Sequence, residues 1–208
     1  RIGQHSERGA KPANEDFHGA LMPEGPPLTL KGAAIAIADG MSSSEAARLA
    51  AEYAVKGFLN DYYATPDSWT VKKSGEKVLS ALNRWLYAQS TALRDPARGL
   101  VTTFSALVLK STTAHVFHIG DSRIWQLRDD TLEPLTQDHH AFGSGGRTWL
   151  NRALGIDRGT RGRIVQRGER AHQLGIVDAA FDGQGTLGHL HLPWVHPAGA
   201  AHGEDQHS

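Results

Sequence analysis

The sequence predicts an α+β fold in which helices pack on antiparallel sheet. Two observations lead there. The elements run as one short apolar strand, two amphipathic helices and then several short strands, an order that segregates helices from strands rather than alternating them. The apolar residues also change period near residue 100, from helical spacing before it to strand-like, β-branched runs after it.

Each element has its own justification. The opening RIGQHSERGAKPANEDFHG is polar and glycine-punctuated, with a short edge strand expected around Ile2 to His5. Pro23, Pro26 and Pro27 mark a loop. GAAIAIADG is too short for a helix and is flanked by glycine, so it reads as a buried strand. A helix is expected from about Ser43 to Tyr62, with Ser42 and Glu45 at capping-box spacing and Leu49, Ala50, Tyr53, Ala54 and Phe58 on one face. A second is expected from about Gly75 to Leu93, capped by Ser74, with Val78, Leu82, Trp85, Leu86 and Leu93 as its stripe. VTTFSALVLK predicts a strand over about Thr102 to Lys110, and HVFHIGDSRIWQLR two more, broken at Gly120. Asp129-Asp130 signals a turn into the return strand LEPLT. QDHHAFGSGGR reads as a polar loop, and LNRALG as the end of a short helix with Gly155 as its C-cap. Trp85, Trp125 and Trp149 fall in apolar patterns and read as core.

Composition narrows the function. The 22 basic and 22 acidic side chains cancel, which gives no footing for a nucleic-acid interface. Cysteine is absent, so a disulfide framework and thiolate zinc site are excluded. No apolar run approaches the roughly 18 residues of a membrane span. The chain opens on Arg1 rather than Met and reads as part of something longer.

The character changes after Asp157. RGTRGRIVQRGER holds five arginines and three glycines in thirteen residues, and six of the twelve histidines lie beyond Gln166. Outside pieces such as LGIVDAAF no period persists, so residues 1–157 read as the folded part and 158–208 as an atypical tail, disordered or the product of a coding-frame error. His189, His191 and His196 offer zinc-type donors, but no element is evident to hold them and a solvated tail is the reading taken.

The acids carry the chemistry. Asp39 ends the strand IAIA and Asp121 follows VFHIG, so each stands at the end of a buried strand; Glu15 and Asp16 add two carboxylates in a polar segment. Rigidly held oxygen donors suit hard cations such as Mg²⁺ and Mn²⁺. Taken singly, each motif has a plainer reading. Asp39-Gly40 is also a hairpin signal, Glu15-Asp16 a pair of solvated charges, and Asp121-Ser122 a turn or cap.

In combination, SERGAKPANED, AIADGM, the Thr102-Thr103 pair, GDSRIW, LTQDH and LNRALG, in that order, resemble the motif set of type 2C, metal-dependent serine/threonine protein phosphatases over roughly residues 1–157. DGMSSSE further resembles phosphatase domains fused ahead of a kinase in bacteria. The resemblance implies a central antiparallel β-sandwich flanked by helices, with two Mn²⁺ or Mg²⁺ ions at one end. It implies that Asp39 bridges both metals, that the Gly40 carbonyl binds one, that Glu15 serves the second, and that Asp16 orients water. Asp121 corresponds to the ligand of a third, weaker metal, and Thr103, Ser122 and Arg123 to residues that hold its loop. His139-His140 matches a structural loop motif. The implied reaction is cytoplasmic hydrolysis of phosphoserine or phosphothreonine in proteins by in-line attack of an activated water, with a phosphoprotein substrate and a linked or partner kinase.

The pattern departs in places. Lys11 stands where the family has a phosphate-binding arginine, losing the bidentate fork but keeping a point charge. Met41 stands where animal members carry a histidine, and Ser42 to Ser44 replace a glycine-rich turn. No Asp-Asn pair follows Gly155, and Asp182-Gly183 is the one candidate for the downstream Asp-Gly pair. The expected domain is therefore incomplete at its C-terminal end, and the alternative to an enzyme is a non-catalytic fragment that acts as a binding module.

Overall fold

The computed structural model describes residues 2–41, 46–92, 99–142 and 148–157, with the strand backbones at 168–170, 175–179 and 190–191. Ser42 to Glu45, and hence the expected capping box, lie outside the described residues, as do Leu93, Asp182, His189 and His196.

Two antiparallel sheets face each other. The first contains β1 (Asp16–Leu21), β2 (Ala33–Asp39), β3 (Phe104–Lys110), β4 (Thr113–Ile119) and β9 (Gly168–Arg170), in the order β1-β2-β3-β4-β9. The second contains β5 (Arg123–Arg128), β6 (Thr131–Pro134), β10 (Gly175–Ala179) and β11 (Leu190–His191), in the order β11-β10-β5-β6. β7 (His140–Phe142) and β8 (Thr148–Leu150) form a separate ribbon. Helices α2 (Ala46–Ala64) and α3 (Val71–Ala92) cover the outer face of the first sheet. No helix among the described residues is long and apolar enough to cross a membrane.

Strand alternation divides the core in two. Ala34, Ala36 and Ala38 of β2 point toward the helices and join a cluster with Ala50, Ala54, Phe58, Leu79 and Phe117. Ile35 points the other way and joins Leu107, Val116, Ile124 and Leu135 between the sheets. Phe58 anchors the helical side, with ring centroids 5.7, 5.1 and 5.9 Å from Tyr62, Phe104 and Phe117; such pairs each add about 0.5–1.5 kcal/mol beyond their buried area.

Several elements differ from the sequence reading, for local physical reasons. Ile2 to His5 form no strand; Ile2 packs on the inter-sheet cluster. The first strand starts at Asp16 because DFHGAL finds a full antiparallel partner in β2. Pro26 and Pro27 open a short helix, α1 (Pro26–Lys31), since proline at the first helical positions lacks only an N–H that would go unpaired there. The buried face of α2 is rotated. Ala47, Ala50, Ala51, Ala54, Val55, Phe58, Leu59 and Tyr62 face inward, while Leu49 and Tyr53 are 39% and 43% exposed. Alanines seat this helix close to the sheet, and alanine contributes little to a sequence-based apolar stripe.

α3 begins at Val71, with Thr70 Oγ1 accepting from Lys73 N at 3.2 Å in the manner of an N-cap. Ser74 is inside the helix, buried, and accepts from Thr65 Oγ1 at 2.8 Å. Trp85 and Trp149 are 43% and 53% exposed rather than core; Trp85 lies edge-on to Tyr53 on the outer helical face. Within the expected polar loop, His140–Phe142 pairs with Thr148–Leu150 as β7 and β8. LNRALG forms no helix, because both backbone groups of Leu154 are engaged by Thr102, at 3.1 and 2.8 Å. Gly155 does adopt positive φ, at 83°, and its N–H donates to Asn83 Oδ1 of α3 at 2.8 Å. Beyond Asp157, β9 and β10 add strands to β4 and β5. Asp129 and Asp130 both take positive φ, 46° and 62°, the conformation of a type I′ hairpin turn between β5 and β6.

Candidate metal and phosphate site

The antiparallel register of β1 and β2 sets Asp16 opposite Asp39. One residue outward, Gly40 N donates to the Glu15 carbonyl at 3.1 Å. Two acidic motifs separated in sequence thus become neighbours across two strands. Asp39 shares its strand face with Ile35, four residues earlier, so its carboxylate lies where the inter-sheet space opens at the end of the sandwich.

The backbone of Asp39 is pinned. Its N–H donates to Thr103 Oγ1 at 2.9 Å, and its carbonyl accepts from Thr103 N and Thr102 Oγ1, both at 2.9 Å. Gly40 bridges Thr102, and a Cβ at Gly40 would drive into the Ala47 carbonyl at the start of α2. Helix and strand can approach there only because residue 40 has no side chain.

The electrostatics are strained without a cation. Burial, reinforced by the charge of Asp16, pushes the Asp39 carboxyl up to about 7; Lys11 opposes this, while a hydrogen bond to Asp16 and the charge of Asp121 add to it. Lys11 Nζ lies 3.7 Å from Glu15 Oε2, so this cation stands beside the acidic cluster. Arg8 Nη1 donates to the Lys11 carbonyl at 3.0 Å. Asn14 Oδ1 accepts from Asp16 N at 3.0 Å, and Asn14 Nδ2 donates to Ser6 Oγ at 2.8 Å. Asn14, which sequence reasoning passed over, is thus the local organiser of the Glu15-Asp16 segment; an asparagine two residues before an acid is the signal for such an Asx turn.

The Asp121 loop is held from several sides. Thr103 Oγ1, which accepts from Asp39 N, also shares a hydrogen bond with Ser122 Oγ at 2.8 Å. Arg123 grips Asp138 with a two-pronged ion pair, Nε to Oδ1 at 2.8 Å and Nη2 to Oδ2 at 2.6 Å; this bond raises the guanidinium and holds Asp138 below the usual carboxylate range. Gly120, at φ 119° and packed on Thr103, exchanges two hydrogen bonds with His139: its N–H donates to Nδ1 at 3.0 Å and its carbonyl accepts from His139 N at 2.8 Å. His139 stacks on the fully buried His118, ring centroids 5.0 Å apart. Burial pushes His118 down to about 4, so it is neutral, and its contacts select one tautomer. Nε2 donates to the Gln137 carbonyl at 3.1 Å, and Nδ1 accepts from Ser105 Oγ at 2.9 Å.

His139 and His140 therefore separate in role. His139 is structural, whereas His140 turns toward the acids, its Nε2 3.4 Å from Asp121 Oδ2. Sequence reasoning treated the two alike, because adjacent strand residues differ in direction only once the strand is placed.

Among the described residues no group of three or more His, Asp or Glu side chains stands ready to hold a metal ion. The donor chemistry nevertheless fits a hard divalent cation. The donors are carboxylates and a backbone carbonyl, and Asp39 and Asp16 crowd each other enough that a proton or a cation must relieve them.

The chain spans 42% of the curated relatives that it matches. One is the serine/threonine phosphatase stp of Listeria innocua, 28% identical over 108 residues, which are 50% of this chain. The corresponding protein of Listeria welshimeri is 30% identical over 109 residues, again 50% of this chain. Among solved structures, the Mycobacterium tuberculosis serine/threonine phosphatase PstP/Ppp superposes with a TM-score of 0.66 at 22% identity, covering 86% of this chain and 76% of that one. The catalytic domain of PstP in complex with two manganese ions gives 0.64 at 24% identity, covering 86% and 75%. The family signature of Protein phosphatase 2C matches residues 8–148, the stretch that carries Lys11, Glu15, Asp16, Asp39 and Asp121, and the chain belongs to that family.

Proposed function

We propose that this chain acts as a metal-dependent phosphatase that hydrolyses phosphoserine and phosphothreonine in proteins. The reading rests above all on the Asp16–Asp39 pair, where burial and then the charge of Asp16 push the Asp39 carboxyl up to about 7, within a chain of the protein phosphatase 2C family. Asp39, the Gly40 carbonyl and Glu15 would hold two Mn²⁺ or Mg²⁺ ions, with Asp121 serving a third, weaker one. When bound, the ions would activate water and neutralise charge on the phosphoryl oxygens. Asp16 would orient the attacking water, its own position fixed by Asn14. Lys11 would hold a phosphoryl oxygen as a point charge, exchanging its contact with Glu15 for the substrate. The bonds from Thr102 and Thr103 keep Asp39 from shifting as charge develops. On this reading the protein works in the cytoplasm, on a phosphoprotein, with a linked or partner kinase.

We further propose a boundary at Asp157 in the sense that residues 158–208, although β9 and β10 pair with β4 and β5, do not supply the downstream acids of the family. The test is hydrolysis of p-nitrophenyl phosphate and of a phosphothreonine peptide with added Mn²⁺. Weak turnover that needs Mn²⁺ and disappears in Asp39→Ala supports both proposals. Turnover insensitive to chelation or to Asp39→Ala would overturn the function. Robust turnover abolished also by Asp182→Ala would overturn the boundary.

A further inference from the structure

We propose that His140 is a metal ligand, and that Asp121 and His140 together form a mixed oxygen–nitrogen cation site that prefers Mn²⁺ to Mg²⁺. The inference deepens the metal-dependent reading above and rests on it. Three observations carry it. First, His140 Nε2 and Asp121 Oδ2 are 3.4 Å apart, long for a charge-assisted hydrogen bond at about 2.7–2.9 Å. Two donors about 2.1 Å from one six-coordinate cation, at right angles, stand about 3.0 Å apart. The pair is spaced for an ion between them after a small opening of that angle. Second, both side chains are partly open, 32% and 37% exposed, which leaves room for the waters that complete the coordination of such ions.

Third, a carboxylate lies near the other ring nitrogen. His140 Nδ1 is 3.9 Å from Asp138 Oδ2, beyond hydrogen-bond distance, and Asp138 is fixed by the Arg123 fork. A small shift of the ring toward Asp138 would let Nδ1–H donate to it, the contact that sets the tautomer of metal-binding histidines. β7 supplies the geometry. His140 pairs with Leu150 as the first residue of the ribbon, while its neighbour His139 is tied to Gly120. Mn²⁺ and Mg²⁺ both favour oxygen donors, but Mn²⁺ is a first-row transition ion that can also take an imidazole nitrogen, whereas Mg²⁺ keeps to oxygen and water. His140 would thus bias this position against Mg²⁺.

The test is electron spin-echo spectroscopy of Mn²⁺ added to the metal-free full chain, with parallel Mn²⁺ and Mg²⁺ titrations. Wild type should show ¹⁴N modulation from a coordinated imidazole. His140→Ala and His140→Gln should lose it, with the weaker class of Mn²⁺ bound about tenfold less tightly or worse and Mg²⁺ little changed. Asp39→Asn should weaken the tighter class but leave the modulation. Modulation retained in both His140 variants overturns the proposal, as does its absence from a wild type that binds Mn²⁺ through Asp39; that second result leaves the phosphatase reading intact. A wild type that binds no Mn²⁺ at all overturns both.

Discussion

Replacing Asp39 by Asn should stabilise the metal-free protein at alkaline pH. Folding raises the Asp39 carboxyl from 3.8 to about 7, so the folded chain holds that proton more tightly than the unfolded one. The stabilising contribution is complete below about pH 3.8 and is lost as pH rises to about 7. A shift of about three units corresponds to about 4 kcal/mol at 1.36 kcal/mol per unit. Sharing of the proton with Asp16 and partial access to water reduce this, leaving about 2–4 kcal/mol. Asparagine keeps the shape and one donor toward Asp16 without charge. Urea unfolding in chelator should therefore find Asp39→Asn more stable than wild type by about 2–4 kcal/mol at pH 8, with less than about 1 kcal/mol between them at pH 4. Adding Mn²⁺ should reverse the order at pH 8, because only wild type gains the tighter class of bound cation. An Asp39→Asn protein less stable than wild type at both pH values would refute the claim that the site is built at a cost to the apo fold.

Two further substitutions probe the frame around the site. Thr103→Val removes the acceptor for Asp39 N and the hydroxyl partner of Ser122 at a position 1% exposed, and should cost about 2–4 kcal/mol; an unchanged urea midpoint would mean that the two bonds do not couple β2 to the Asp121 loop. Lys31→Met removes three hydrogen bonds from a side chain 3% exposed, to Thr65 O at 2.8 Å and to Thr65 Oγ1 and Pro66 O at 2.9 Å. It should cost about 2–4 kcal/mol by leaving the carbonyls beyond α2 unpaired, and a loss below about 0.5 kcal/mol would show that water replaces the lysine there.

The acids of the candidate site were legible because their signals are local. Asp39 and Gly40 sit at the end of a run whose length and flanking glycines mark it as a strand, and Asp121 follows another by two residues. Asn14 escaped notice, and His140 was read only as part of a structural loop motif, because their significance is relational. Asn14 matters through Asp16 and Ser6, and His140 through an acid 19 positions away. The rotation of α2 was hidden for a similar reason. Alanine is neutral in a hydrophobic stripe but decisive in how closely a helix can lie on a sheet, so Leu49 and Tyr53 drew the stripe toward themselves although they face outward.

The sequence by itself determined the α+β class, the strand–helix–helix–strand order and the identity of the acids, since periodicity, turn chemistry and motif order are carried by neighbouring residues. Tertiary structure alone decided which of those acids meet. The β1–β2 register places Asp16 across from Asp39, and a slip of one residue would turn one of them to the opposite face. It also decided that LNRALG runs extended, because Thr102 claims both backbone groups of Leu154. Long-range pairing of this kind overrides local helix preference, since a backbone donor or acceptor can satisfy only the partner that the packed fold brings to it.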